Sequence, residues 1–258
     1  MRRPLFALAS LVAAVVACAF APSTAVGRVV VDRPAVAHVA VDRPPADGWV
    51  RVDRPRPAHV IAYVQPGQAL ALHSRPFGRV LVHVGSRTQF GSQRALGVVK
   101  TQRGRWLGVT EAGVGHNRLV WVDARAGGIR YARTRLELDI DLSSRTVIVR
   151  RDRLAVRRLS VGIGRPGSPT PTGRFAVTDK LNGRAYSAVY GCCILALSAT
   201  QPNLPSGWTG GNRIAIHGTL SSSDFGRAIS AGCVHASDAD LRYLMRIVRL
   251  GTPVVIRP

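Results

Sequence analysis

Cys233 is the residue in this chain best suited to covalent chemistry. It lies in the stretch Ser230-Ala231-Gly232-Cys233-Val234-His235, and a second histidine stands upstream in His217-Gly218. A free thiol titrates at about 8.5, so it needs a neighbouring imidazole to take its proton before it can attack. Gly232, directly before it, leaves room for a carbonyl and lets backbone N–H groups converge on an oxyanion. Two histidines compete for the base role. His235 is two residues on, and on an extended segment its side chain points the same way as that of Cys233. His217 ends the apolar run Ile214-Ala215-Ile216 and has to return to the thiol across a loop. Two blander readings stand beside this one: a small buried thiol, or zinc held by His217, Cys233 and His235 with an open fourth position. Against zinc, the chain has no Cys-x-x-Cys or His-x-x-x-His spacing. No metal and no cofactor is therefore expected.

The elements around this stretch are mainly β. After it comes one clear helix, with Ser237 as N-cap, Asp240 closing a capping box, and Leu241, Leu244, Met245 and Val248 on one face. Gly251 is expected to terminate it and Pro253 to prevent its continuation, before a last strand, Val254-Val255-Ile256. Upstream, Leu136, Leu138, Ile140 and Leu142 alternate with Glu137, Asp139 and Asp141. Ser143-Ser144-Arg145 then turns the chain into Thr146–Arg150 as a hairpin partner. Between about Val60 and Arg133, six short alternating segments with glycine turns suit a small barrel. Trp106 and Trp121 read as core residues of it.

Residues 26–58 repeat Val-Asp-Arg-Pro at Val31–Pro34, Val41–Pro44 and Val52–Pro55, a composition that cannot bury a core and favours an extended tether. Met1-Arg2-Arg3-Pro4, the apolar run Leu5–Phe20 and Ser23-Thr24-Ala25 have the form of a secretory signal over 1–25. Val15-Val16-Ala17-Cys18 offers a second possibility, a lipoprotein signal ending before Cys18, which would then carry lipid. Either way the chain is expected to be exported to the cell envelope, with membrane contact only through the signal or a lipid anchor. Cys192 and Cys193 are adjacent, and because a ring between neighbours is strained, two buried thiols are expected. The balance of 36 basic to 14 acidic residues gives +22, nearly all of it arginine. Such a charge suits anionic wall polymers. Basic patches interleaved with aromatics are missing, so a nucleic-acid partner is not expected.

Several ordered motifs carry a resemblance. Ile214-Ala215-Ile216-His217-Gly218-Thr219, Ser230-x-Gly232-Cys233-Val234, the helix with Gly251-Thr252-Pro253-Val254, and Thr170-Pro171-Thr172-Gly173-Arg174-Phe175 resemble the L,D-transpeptidase (YkuD-type) catalytic domain over about Leu136–Pro258. Arg103–Val109 with Asn117–Val122 resembles bacterial SH3-like domains of the envelope. The resemblance implies a small SH3-like barrel at 59–133, followed by a YkuD-type β-sandwich catalytic domain with one helix at 134–258. It implies Cys233 as the nucleophile that attacks a peptidoglycan stem peptide to give a thioacyl-enzyme, and His217 as its base, which later helps deprotonate the incoming amine. Gly218 then orients the imidazole, Ser230 and Gly232 shape the oxyanion turn, and Tyr190 belongs to a substrate-covering segment. The expected partners are a donor stem peptide and an amine acceptor on a neighbouring stem.

Two positions depart from the family pattern. Ala231 stands where relatives commonly carry histidine, and His235 where they commonly carry arginine or asparagine to hold a substrate carboxylate. Two alternatives to the transpeptidase reading follow. One is an L,D-carboxypeptidase, with water replacing the amine at the same thioacyl intermediate. The other is a wall-binding protein whose catalytic domain is impaired by these two replacements.

Overall fold

Residues 58–258 are described by the structure, a computed structural model. The expected signal over 1–25, Cys18 and nearly all of the 26–58 tether lie outside them. No helix among the described residues is long and apolar enough to cross a membrane.

The expected alternation in the first half produces strands β1 (His59–Val64), β2 (Ala69–His73), β3 (Val80–Gly85), β4 (Ala95–Gln102), β5 (Trp106–Val109) and β6 (Val120–Asp123). A seventh strand, β7 (Ile129–Thr134), pairs with β1 from His59↔Thr134 to Val64↔Ile129. None of its residues is buried and three of the six are exposed, so it lacks the apolar alternation that would announce a strand. The order is β3-β2-β6-β5-β4-β1-β7, and among the described residues no ladder joins β3 to β7. The ladder therefore runs open rather than closing on itself. Alternate residues, among them Leu70, Leu72, Leu96, Val109 and Val122, build one core on this sheet. Trp106 and Trp121 are both buried.

The second half contributes β8 (Leu136–Asp141), β9 (Thr146–Arg151), β10 (Leu154–Ser160), β11 (Ile163–Gly164), β12 (Gly173–Asn182), β13 (Cys193–Thr200), β14 (Arg213–His217), β15 (Ala228–Ser230), β16 (Val234–His235), the helix α1 (Asp238–Ile247) and β17 (Pro253–Arg257). The main sheet runs β10-β9-β8-β17-β12-β13-β14-β16, with β11 and β15 as a separate parallel pair. The hairpin expected at Ser143–Arg145 is present, with β8 and β9 in register from Leu136↔Arg151 to Asp141↔Thr146. The inserted strand β13 is buried at every position, as a central strand covered on both faces must be.

Ser237 caps α1 as the capping box requires: its side chain accepts from Asp240 N–H at 3.1 Å and donates to the Asp240 carboxylate at 2.8 Å. The helix stops earlier than expected. Val248 is its C-cap, and Gly251 instead makes a separate turn at φ +82° where a Cβ would overlap Ile61 of β1. The close approach of β1, more than helix termination, requires glycine there.

The two sheets meet through buried polar contacts. Tyr63 donates to Leu250 O (3.1 Å), Thr110 and Ser198 share a hydroxyl hydrogen bond (2.7 Å), and Asn117 pairs with the Thr200 backbone in both directions (2.7 and 2.8 Å). Thr88, in the loop between β3 and β4, donates to the fully buried Asp179 of β12.

Candidate active site

The two histidines reach the same place through strand register. β14 ends at His217, and the chain crosses over through β15 to lay β16 parallel beside it, with Ile216 opposite Val234 and His217 opposite His235. Ala236 N–H then donates to His217 O at 2.8 Å, fixing the pairing. The two rings lie 4.9 Å apart between centroids.

Cys233 enters β16 from a turn that Gly232 makes possible. Gly232 has φ +117°, a conformation disfavoured for any residue with a Cβ. Ser230 closes the turn: its hydroxyl accepts from Gly232 N–H (3.0 Å) and donates to Cys233 O (2.6 Å). Thr170, the first residue of the Thr-Pro-x-Gly-x-Phe stretch, donates its hydroxyl to Gly232 O (2.8 Å) and accepts from Gly164 N–H (2.9 Å). Gln201 donates to Pro169 O (2.8 Å) and Ala231 O (3.3 Å) from the other side. Gly232 N–H is thus committed to Ser230, and an oxyanion at this site has to take its donors from elsewhere.

Cys233, His217, His235, Ser230 and Tyr190 line one cavity of about 560 Å³, whereas Gly218 and Gly232 do not line it. Its size and mostly apolar lining are those of a small-molecule or peptide cleft. Tyr190 meets the His217 ring edge-on at 4.8 Å between centroids, and its carbonyl accepts from Gly218 N–H at 2.8 Å.

His217 Nδ1 lies 2.7 Å from Gly218 O. A carbonyl can only accept, so Nδ1 carries the proton and Nε2 keeps its lone pair. Burial, reinforced by the neighbouring His235, pushes this imidazole down to about 4, leaving it a neutral base at neutral pH. Burial pushes the Cys233 thiol up to about 11, opposed by a hydrogen bond from the Ala215 backbone. The thiol donates to Arg213 O at 3.8 Å, and at neutral pH both it and the His217 imidazole are uncharged.

His235 has a different support. Its Nδ1 donates to the Asp224 carboxylate at 2.9 Å, and the Thr219 hydroxyl donates to the same oxygen. Burial raises the Asp224 pKa, but the bonds from Thr219 and His235 more than offset it, and the carboxyl lies below its ordinary range. Sequence reasoning passed over Asp224, Thr219 and Gln201. Gln201 makes its bonds across 30 and 32 residues and Asp224 meets His235 across 11, with Thr219 bonded to Asp224 five residues on, and no local spacing signals the set.

The structure also corrects the expectation of two thiols at 192 and 193. Cys192 and Cys193 form a disulfide, and Cys233 is the free cysteine among the described residues. Cys192 precedes β13, in a turn where its N–H donates to Asp238 at 2.9 Å, so the strand alternation that separates neighbouring side chains does not reach it.

Comparison with known proteins bears on residues 135–256, which match the YkuD family, the L,D-transpeptidase catalytic domain. A Bacillus licheniformis protein that carries the provisional name L,D-transpeptidase YkuD is 30% identical over 120 residues, 46% of this chain and 64% of its own length. A Salmonella typhimurium protein provisionally named L,D-transpeptidase ErfK/SrfK is 30% identical over 114 residues, 39% of this chain and 37% of its own. The matched segment thus spans less than two thirds of either relative. Among solved structures, an L,D-transpeptidase from Mycobacterium tuberculosis H37Rv is similar at a TM-score of 0.42 and 16% identity, covering 75% of this chain and 95% of its own. One from Mycobacterium smegmatis is similar at 0.40 and 17%, covering 63% and 82%. Scores of that size support nothing beyond the likeness itself. On the sequence match, residues 135–256 are similar to the YkuD-type L,D-transpeptidase catalytic domain.

Proposed function

We propose that this chain is an exported L,D-transpeptidase that joins peptidoglycan stem peptides through a thioacyl-enzyme on Cys233, with His217 as base. The observation that carries the reading is the shared cavity: Cys233 and His217 both line it, and Gly218 holds His217 in the tautomer whose Nε2 accepts a proton. Cys233 attacks the donor carbonyl as its proton passes to His217, and the proton then goes to the departing amine of the terminal D-alanine. An amine from a second stem displaces the thiol and completes the link. General-base help of this kind contributes about 10²–10⁴-fold.

The arginine-rich surface suits anionic wall polymers, and salt-sensitive binding to isolated walls would accompany that role. The first sheet is assigned to the SH3-like class on its motif alone, and the signal-like form of 1–25 with the tether after it supports a site outside the cytoplasm.

The test is intact-mass detection of a covalent adduct after incubation with a carbapenem or a stem tetrapeptide. The adduct is expected on the wild type and lost in Cys233→Ala. Its absence from the wild type would favour the impaired wall-binding alternative. Products formed with and without an amine acceptor separate transpeptidation from carboxypeptidase-type hydrolysis.

A further inference from the structure

The cavity holds two imidazoles with unlike supports. His217 gives its Nδ1–H to a neutral backbone carbonyl, whereas His235 gives its own to the carboxylate of Asp224. Among the described residues the only ion pair Asp224 makes is with His235, and the second donor to that oxygen is Thr219. A nearly buried carboxylate without a cationic side chain of its own is costly unless it does something for its partner. Here it fixes the His235 tautomer, leaving the Nε2 lone pair free, and it stabilises the ring when a proton arrives. No partner for His235 Nε2 appears among the described residues, and the ring lines the cavity beside Cys233.

We propose that His235, oriented by Asp224, is a second catalytic base that serves the incoming acceptor amine, while His217 serves Cys233. This deepens the transpeptidase reading and rests on it. In the step proposed, the neutral amine nitrogen bonds to the thioester carbonyl carbon and loses one proton to His235 Nε2. The tetrahedral intermediate then collapses, the C–S bond breaks, and the proton returns from His235 to the leaving sulfur. The products are the new amide and the free thiol, with no external oxidant or reductant. Asp224 touches no reacting atom and is a positioning residue, as is Thr219.

The experiment separates the two half-reactions on the full chain. Acylation is followed by mass with a stem tetrapeptide ending in D-alanine. Breakdown of the isolated thioacyl-enzyme is followed with meso-diaminopimelate as the amine. His235→Asn is the informative variant, because the asparagine amide can still donate to Asp224 while nothing replaces Nε2. Its aminolysis is expected to slow by about 30-fold or more, within the range of general-base effects, and by clearly more than its acylation. Asp224→Asn keeps an acceptor for His235 but loses the charge, so aminolysis falls by a smaller factor. In the double variant it adds nothing to His235→Asn, whereas a merely structural role would add its own loss.

Aminolysis at the wild-type rate in His235→Asn overturns the proposal, and so does an equal loss in both half-reactions. His235→Gln guards against a folding defect: loss of acylation in both variants also overturns it. If wild-type Cys233 forms no thioacyl adduct at all, the transpeptidase reading is what fails.

Discussion

Gly232→Ala tests how the turn before Cys233 is held. At φ +117° an alanine pays about 1–2 kcal/mol of backbone strain. Its Cβ would also overlap Gln201 Nε2 and approach Ile214 Cδ1 to 3.1 Å. The amide is the mobile end of its side chain and can swing away, but only by giving up its bonds to Pro169 O and Ala231 O. At about 1 kcal/mol for each bond lost, the single substitution costs about 3–4 kcal/mol in all. Against a typical stability of roughly 5–15 kcal/mol the protein still folds, with a lower denaturation midpoint. Gln201→Ala alone loses the same two bonds and the one its Oε1 accepts from Asn203 N–H (3.0 Å), about 3 kcal/mol. Once they are gone the overlap has nothing left to break, so the double variant should cost about 2 kcal/mol less than the sum of the singles. Chemical denaturation of the four proteins measures this coupling, with mass-detected acylation of Cys233 as the readout of loop position. Costs that add to within about 0.5 kcal/mol would refute the account in which Gln201 and Gly232 share one space.

Four further outcomes follow from the site and its surroundings. His217→Ala should slow acylation of Cys233 by about 10²–10⁴-fold, measured by the rate of adduct formation. His217 ordinarily titrates at 6.5 but at about 4 in the fold, so the unfolded chain binds its proton first as the pH falls. Its contribution is fully present above pH 6.5 and declines by roughly 3 kcal/mol towards pH 4; denaturation of wild type and His217→Asn across that window should show the difference only in the wild type. The Cys233 thiol, pushed up to about 11, should react slowly with iodoacetamide at neutral pH and ever faster through pH 9–11, and a rate that levels off below pH 8 would contradict it. Finally, Arg213 Nη1 stands 3.7 Å from Asp179 Oδ2, a buried oxygen with no hydrogen-bond partner. Arg213→Ala should cost about 3–5 kcal/mol, much of it recovered when Asp179→Asn is added.

Much of the site was legible because its parts are local. The turn before Cys233, the Ser237 cap and the apolar face of α1 each depend on residues within four or five positions, a range over which residue type dictates backbone geometry. The β7 strand was not legible, since its exposed residues carry no alternation and it exists by pairing along β1. The end of α1 was misplaced for a similar reason: Gly251 has a glycine's conformation, but its cause is Ile61, far away in the chain.

The sequence by itself determined that a cysteine in a tight turn would lie near a histidine, on a mainly β scaffold closed by one helix, and its ordered motifs pointed to the family. Only the tertiary structure decided what each histidine is bonded to. The register of β14 against β16 sets the two rings side by side, and a loop eleven residues away delivers Asp224 to one of them and not the other. Short-range spacing specifies turns and caps; the partner of a buried polar atom depends on which distant strands pack together, and no spacing along the chain encodes that.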